Sequence, residues 1–170
     1  MKKKNKRNLL ILIFGLISLK FLSKLKPKFD LSRFTNINKI ISSPFGLRGG
    51  LPHDAVDFVA KTGTKILLIK NGKVEKIDNT CQVTNPKTTG CGGGWGNYIT
   101  INHGNNTKTR YAHLSKLYVN EGDIITTPTI IAETGDTGRS TAPHLHWEYL
   151  INNNRVNGTG KQDDYFNLVK

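Results

Sequence analysis

Five histidines are the residues best equipped for chemistry in this 170-residue chain: His53, His103, His113, His144 and His146. Two of them stand two apart in Pro143-His144-Leu145-His146-Trp147-Glu148. The apolar and aromatic setting reads as a strand, and residues i and i+2 of a strand share a face. His144 and His146 therefore project together, with Leu145 and Trp147 on the other side. His53 stands four residues before Asp57. With His146 these would supply two imidazoles and a carboxylate. Three protein ligands with a fourth position open is the pattern of catalytic zinc, whereas structural zinc is closed by four ligands and rich in Cys. Zinc so held makes hydroxide available near pH 7 and polarises a carbonyl. A proton shuttle is still required, and no His-Glu-x-x-His helix provides one. His144 and His113 remain for that work. Each could orient the water, take its proton or stabilise the oxyanion of a tetrahedral intermediate. Every piece alone also has an ordinary reading: His53 as a loop residue, Asp57 as a turn or cap, His113 as a half-buried strand histidine.

The elements that must position these residues are short strands. Ile40-Ile41 begins the first. Residues 55–60, 65–69 and 73–77 follow, with Asn71-Gly72 as a hairpin signal between the last two. Residues 78–95 form a long loop, a length associated with function or disorder. Residues 97–102 alternate with period two, turn at His103-Gly104-Asn105-Asn106, and return over 109–114. Strands at 123–125 and 129–132 are separated by a turn at Thr127-Pro128. A small-residue loop over 135–143 leads into the strand 144–151, the last clear one. No helical periodicity is sustained after residue 30, apart from a short helical turn over 163–169. The expectation is a mostly β, compact antiparallel sheet or barrel-sandwich domain over 41–170.

The net charge of +13 first points to nucleic acid or a membrane. Its distribution decides. Residues 1–28 hold nine of the 25 Lys/Arg and none of the 12 Asp/Glu, leaving the rest at +4. Residues 1–7 are a basic cluster and 9–19 an apolar run, followed by Lys20, Lys24, Lys26, Lys28 and the breaker Pro27. That order fits an export signal or an uncleaved signal anchor, a hydrophobic N-terminal helix. The run is short for a free-standing span. No small-x-small cleavage site and no Cys for lipid attachment is present there. A basic amphipathic helix on a membrane or on nucleic acid is the bland alternative. Residues 29–40 read as a linker. No stripe of interleaved aromatic and basic residues supports nucleic-acid binding. In an exported chain a Cys81–Cys91 disulfide is expected, contributing at most about 3 kcal/mol; two free thiols are the alternative.

At these residues the sequence resembles the lysostaphin-type (LytM-like) zinc metallopeptidases, from about Ser42 to Asn157. The matching pieces stand in the family's order: Pro44-Phe45-Gly46-Leu47-Arg48, the His53 to Ala60 segment with its His-x-x-x-Asp, Gly96 to Gly104, Tyr111-Ala112-His113-Leu114-Ser115, and Gly135 to Glu148. The resemblance implies that His53, Asp57 and His146 bind zinc (Zn2+) and that His113 and His144 are the catalytic pair. It implies hydrolysis of peptide cross-links or cross-bridges in bacterial peptidoglycan, the compact β fold of that family, and a groove floored by a sheet and walled by loops 46–50, 90–96 and 135–142. His103 falls where the family has no catalytic role and reads as structural. The partners implied are a peptidoglycan peptide and, through the N-terminal segment, a membrane. Extracytoplasmic action, anchored or secreted, and a monomeric state are expected.

Three features depart from the family's pattern. Ala55 replaces the usual Gly between His53 and Asp57. The approach from Arg48 to His53 is short and offers no tyrosine for the oxyanion. The Cys81–Cys91 loop looks like an insertion that reshapes access to the groove. The competing reading from another class is an inactive wall-binding or amidase-activating module on the same fold. Inactive relatives typically lose ligands, and here all five polar positions stand. A Ser140/His144 hydrolase is poorer still, for the loop lacks a nucleophile elbow. Direct cross-links and glycine bridges are both compatible with the sequence.

Overall fold

Period-two alternation between short turns leaves the chain little choice but antiparallel strands. The computed structural model describes residues 31–82, 90–126 and 128–170. In chain order the strands are β1 (Asn36–Ile37), β2 (Ile41–Ser43), β3 (Gly46–Arg48), β4 (Leu51–His53), β5 (Val56–Val59), β6 (Lys65–Leu68), β7 (Gly72–Asp78), β8 (Asn97–Gly104), β9 (Thr107–Leu117), β10 (Ile124–Ile125), β11 (Thr129–Thr134), β12 (His144–Ile151), β13 (Asn154–Val156) and β14 (Phe166–Val169). Only short 3-10 turns accompany them among the described residues. The mostly β, antiparallel expectation holds. The expected N-terminal helix lies outside the described residues, and among those described no helix is long and apolar enough to cross a membrane.

One large sheet runs in the order β1-β14-β6-β11-β9-β12-β5-β2, with β8 and then β7 continuing from β9. β3 and β4 form a separate hairpin. The long strand β9 organises the sheet. Residues Thr107–Ala112 pair with β12, and Leu114–Leu117 pair with β11. His113 lies at the changeover, and its φ of 61° is left-handed. The β8–β9 turn is made by Asn105 and Asn106, at φ 47° and 57°, as a tight hairpin demands.

Alternation on β12 sorts its side chains as expected. Leu145 and Trp147 are fully buried, while His144 and His146 face the other way and are half-buried. Trp147 packs against Phe58 of β5 and Phe166 of β14, with ring centroids 6.3 and 5.6 Å apart. Tyr111 of β9 meets Phe166 edge-on at 5.5 Å. Burying each such aromatic removes roughly 150–250 Å² from water, so this cluster anchors the strand that carries both histidines.

Three local expectations are corrected. The turn at Asn71-Gly72 does not join a hairpin: β6 pairs with β11 and β14, and β7 with β8 and β10. Gly72 is there for close approach, since a Cβ on it would lie 2.6 Å from Ile101 Cγ2 and 2.9 Å from Asn102 O. The helical turn expected over 163–169 is a 3-10 turn at Gln162–Asp164 followed by β14. A four-residue stretch is too short for periodicity to separate helix from strand; here Phe166 and Leu168 are claimed by the core beside β6. The stretch expected as a linker carries β1, which extends the sheet beyond β14.

Candidate functional site

Asp57 is the centre of the site because the sheet register puts it there. β5 pairs with β12 so that Asp57 stands opposite His146, and β9 pairs so that Ala112 stands on the other side of His146. His113 follows Ala112 in the chain. His53 ends β4 and is carried to Asp57 by the two-residue connection to β5. Ala55, in that connection, is buried and has no left-handed backbone, so the missing glycine costs the path nothing.

The distances are short. His53 Nε2 lies 3.1 Å from Asp57 Oδ2, and His146 Nδ1 lies 3.0 Å from Asp57 Oδ1. His144 Nε2 is 3.7 Å from Asp57 Oδ1. The rings of His113 and His144 are 4.7 Å apart, and those of His113 and His146 are 5.3 Å apart. Two overlapping trios have ligand atoms within 4.8 Å of one another: His53, Asp57, His146 and His113, His144, His146. The structure thus brings together all five residues singled out in the sequence. His103 stands apart, bonded to Asn71 O and Thr109 Oγ1 at 2.8 Å each.

Carbonyl groups fix the proton positions, because a carbonyl only accepts. His53 Nδ1 donates to Pro44 O at 2.9 Å, His113 Nδ1 to Thr137 O at 2.7 Å and His144 Nδ1 to Ala142 O at 2.8 Å. Each ring, when neutral, presents its Nε2 lone pair inward. His53 Nε2 is buried with no hydrogen-bond partner, although a carboxylate oxygen is 3.1 Å away. Two acceptors held face to face call for a cation between them. The donor set of two imidazoles and one carboxylate is the one zinc takes in catalytic sites. His53, Asp57 and His146 therefore fit such an ion.

Electrostatics agree. Burial raises the Asp57 pKa, but the hydrogen bond from His146 and the charges of His146, His144 and His53 outweigh it, so the carboxyl stays below its usual range. Burial pushes His113 down to about 4, helped by His146 and His144, which leaves its imidazole neutral at pH 7. Burial disfavours charge on His146 too, but Asp57 and Glu148 reverse that and raise its pKa.

Glu148 is the residue that sequence reasoning missed. It is buried, faces His146 Nε2 at 3.4 Å, and accepts from Trp95 Nε1 at 2.7 Å, Arg110 Nη1 at 3.0 Å and Arg155 Nε at 2.9 Å. The signal was available: Glu148 continues the His144, His146 alternation on the same strand face.

The cleft around these groups is about 830 Å³. Arg48 and Pro52 of the β3–β4 hairpin line one side, and Gly93, Gly94 and Trp95 line the other, with residues 139–143 over His144. The Cys81–Cys91 disulfide is formed. Asn97 ties the backbone of Cys81 from both sides, and Trp95 O accepts from His113 N at 2.8 Å. Gly93 to Trp95 thus wall the cleft, and Trp95 holds His113. Gly96, at φ 66°, lets this wall touch the next: a Cβ there would lie 2.4 Å from Thr137 Oγ1.

The left-handed φ of His113 is the strained point. A non-Gly residue there costs roughly 1 kcal/mol. His113→Gly should therefore be about 1 kcal/mol more stable than His113→Ala in urea unfolding, although both lack the imidazole. Equal midpoints and slopes for the two variants would remove the strain argument.

Comparison with known proteins matches the same stretch of chain. The model of "Peptidase family M23" fits residues 51–158. The peptidoglycan DD-endopeptidase ShyA of Vibrio cholerae is 37% identical over 106 residues, 62% of this chain and 22% of ShyA. A zinc-containing peptidase from Vibrio cholerae has a similar structure, with a TM-score of 0.57 and 32% identity over 75% of this chain and 36% of that one. The catalytic domain of the prophage-encoded M23 protein EnpA from Enterococcus faecalis, in a mutant form, superimposes with a TM-score of 0.57 and 27% identity, covering 80% of this chain and 96% of that domain. The chain spans about a quarter of the length of the curated relatives it matches.

Proposed function

The chain belongs to peptidase family M23, and from that premise we propose that it is a zinc-dependent endopeptidase hydrolysing peptide cross-links or cross-bridges of bacterial peptidoglycan. The observation that carries the reading is the unpartnered, buried His53 Nε2 facing Asp57, with His146 closing the trio. In this reading His53, Asp57 and His146 hold the metal, and His113 and His144 do the proton work. When bound, zinc serves as a Lewis acid that makes hydroxide available near pH 7 and polarises the scissile carbonyl.

The rest is the work of the chain's own groups. His113 is neutral at pH 7 and pinned through Nδ1, so its Nε2 is an acceptor aimed into the cleft. His144 is pinned likewise. One imidazole takes the proton from the attacking water. The resulting imidazolium then returns it to the leaving amine, the usual cycle of a general acid–base pair. The cleft walls hold the substrate peptide extended across β12. Residues 1–28 are assigned as a signal peptide or signal anchor that places residues 41–170 outside the cytoplasm, on the strength of the basic cluster and the apolar run.

The test is the purified chain, loaded with zinc, on isolated peptidoglycan, with product masses read out. New amino and carboxyl termini at a cross-link, lost on chelation and restored by zinc, are expected. Equal cleavage after thorough chelation would sink the metal assignment. Wall binding without any cleavage would return the non-enzymatic module.

A further inference from the structure

Three arginines line the cleft: Arg48, Arg139 and Arg155. Two are already engaged. Arg48 Nη1 sits 3.4 Å from Asp57 Oδ2 and 3.4 Å from Ser43 Oγ. Arg155 Nε donates to buried Glu148 at 2.9 Å, and its guanidinium lies 5.1 Å from the Trp95 ring centre. Arg139 differs. Its side chain is exposed at the cleft, and among the described residues no carboxylate pairs with it. Its backbone is held: Arg139 N donates to Gly94 O at 2.8 Å. The next residues tie the same loop to His144, through Ala142 O at 2.8 Å and Ser140 Oγ at 3.2 Å from His144 Nδ1. A fixed backbone next to a candidate catalytic histidine thus carries a guanidinium with no carboxylate partner among the described residues.

The acids of the cleft do not balance it. Asp57 is committed to His53 and His146. Glu148 is neutralised by Arg110 and Arg155. Asp54 faces Arg155 at 3.9 Å. An arriving peptide therefore meets an unbalanced positive charge close to the reacting centre. A guanidinium is matched to a carboxylate, which it binds in a bidentate, charge-assisted way.

We propose that Arg139 reads a free carboxylate on the substrate close to the scissile bond, so that the preferred substrate is a direct cross-link whose bridging diamino acid keeps its carboxylate. A glycine bridge offers no such group along its length. The inference rests on the peptidase reading above and narrows it to one substrate class.

Three purified muropeptide dimers separate the outcomes: a direct cross-link with the diamino-acid carboxylate free, the same dimer with that carboxylate amidated, and a pentaglycine-bridged dimer. The full chain should favour the acid over the amide by about tenfold in kcat/KM, mostly through KM. Arg139→Gln should bring that ratio close to one, and Arg139→Lys should keep part of it. Arg139 is exposed, so both variants should melt with the parent. Equal cleavage of acid and amide, or a preference for the glycine bridge, would overturn the proposal while leaving the peptidase reading standing. An undiminished preference in Arg139→Gln would overturn the role of Arg139. Zinc-loaded protein that cuts none of the three would take down the peptidase reading and this one with it.

Discussion

His146→Ala is expected to lose both zinc and wall cleavage, whereas His113→Ala keeps the metal and loses only the cleavage. The contrast follows from geometry. His146 belongs to both trios of ligand atoms, while His113 belongs to one. Without His146, two ligands remain in either arrangement, too few for a three-ligand catalytic zinc site. Without His113, the trio of His53, Asp57 and His146 is intact, and its own supports at Pro44 O and Glu148 are untouched. Losing a positioned base costs roughly 10²–10⁴-fold in rate. The checks are metal content after gel filtration and release of soluble muropeptides. The informative reversal is a His113→Ala protein that comes off the column without zinc. That result would move the metal to the His113, His144, His146 trio. Full cleavage by both variants would discard the mechanism altogether.

The site was legible in the sequence because strands encode it locally. A period of two is enough to place His144 and His146 on one face and to bury Leu145 and Trp147, and four residues of spacing keep His53 near Asp57. Glu148 follows the same rule and was still missed, since an acid after two histidines reads as solvent-facing until the arginines opposite it are known. Those arginines come from β9 and β13, and β9 is far away in the chain. The left-handed backbone of His113 was not legible at all. It arises where β9 passes from β12 to β11, a fact of pairing and not of residue type. The edges of the sheet failed for related reasons. Gly72 looked like a turn residue, but it is a glycine because β8 lies against it. Phe166 looked like part of a helical turn, but it packs against Phe58, Tyr111 and Trp147, which no local window contains. Local alternation therefore yields which face a side chain takes, and long-range pairing decides which strand lies next to it.

Glu148→Ala is expected to be among the most damaging single changes in the chain, for stability and for the metal together. The carboxylate is buried and serves four groups: the Trp95 indole, Arg110, Arg155 and His146. Burial works against its ionised form, but His146 and the two guanidiniums outweigh that and hold it charged. Removing one partner of such a buried network leaves the others uncompensated, at a cost of about 3–5 kcal/mol. Arg110, stacked 4.2 Å from the Trp95 ring centre, would carry most of that cost, since Arg155 is the more exposed of the two. The effect on the metal is separate. A carboxylate facing His146 Nε2 orients the ring and would hold the proton on Nε2 when a cation replaces the Nδ1 proton beside Asp57; losing that kind of support costs roughly 10–100-fold in affinity. Glu148→Gln separates the two effects. It keeps the shape and an oxygen for the Trp95 and His146 donors, but not the charge for the arginines. It should therefore bind zinc more tightly than Glu148→Ala in competition with a chromophoric chelator, while still unfolding at lower urea than the parent. If Glu148→Ala folded as stably as the parent and held zinc as tightly, the carboxylate would be a bystander, and the orientation of His146 would have to come from Asp57 alone.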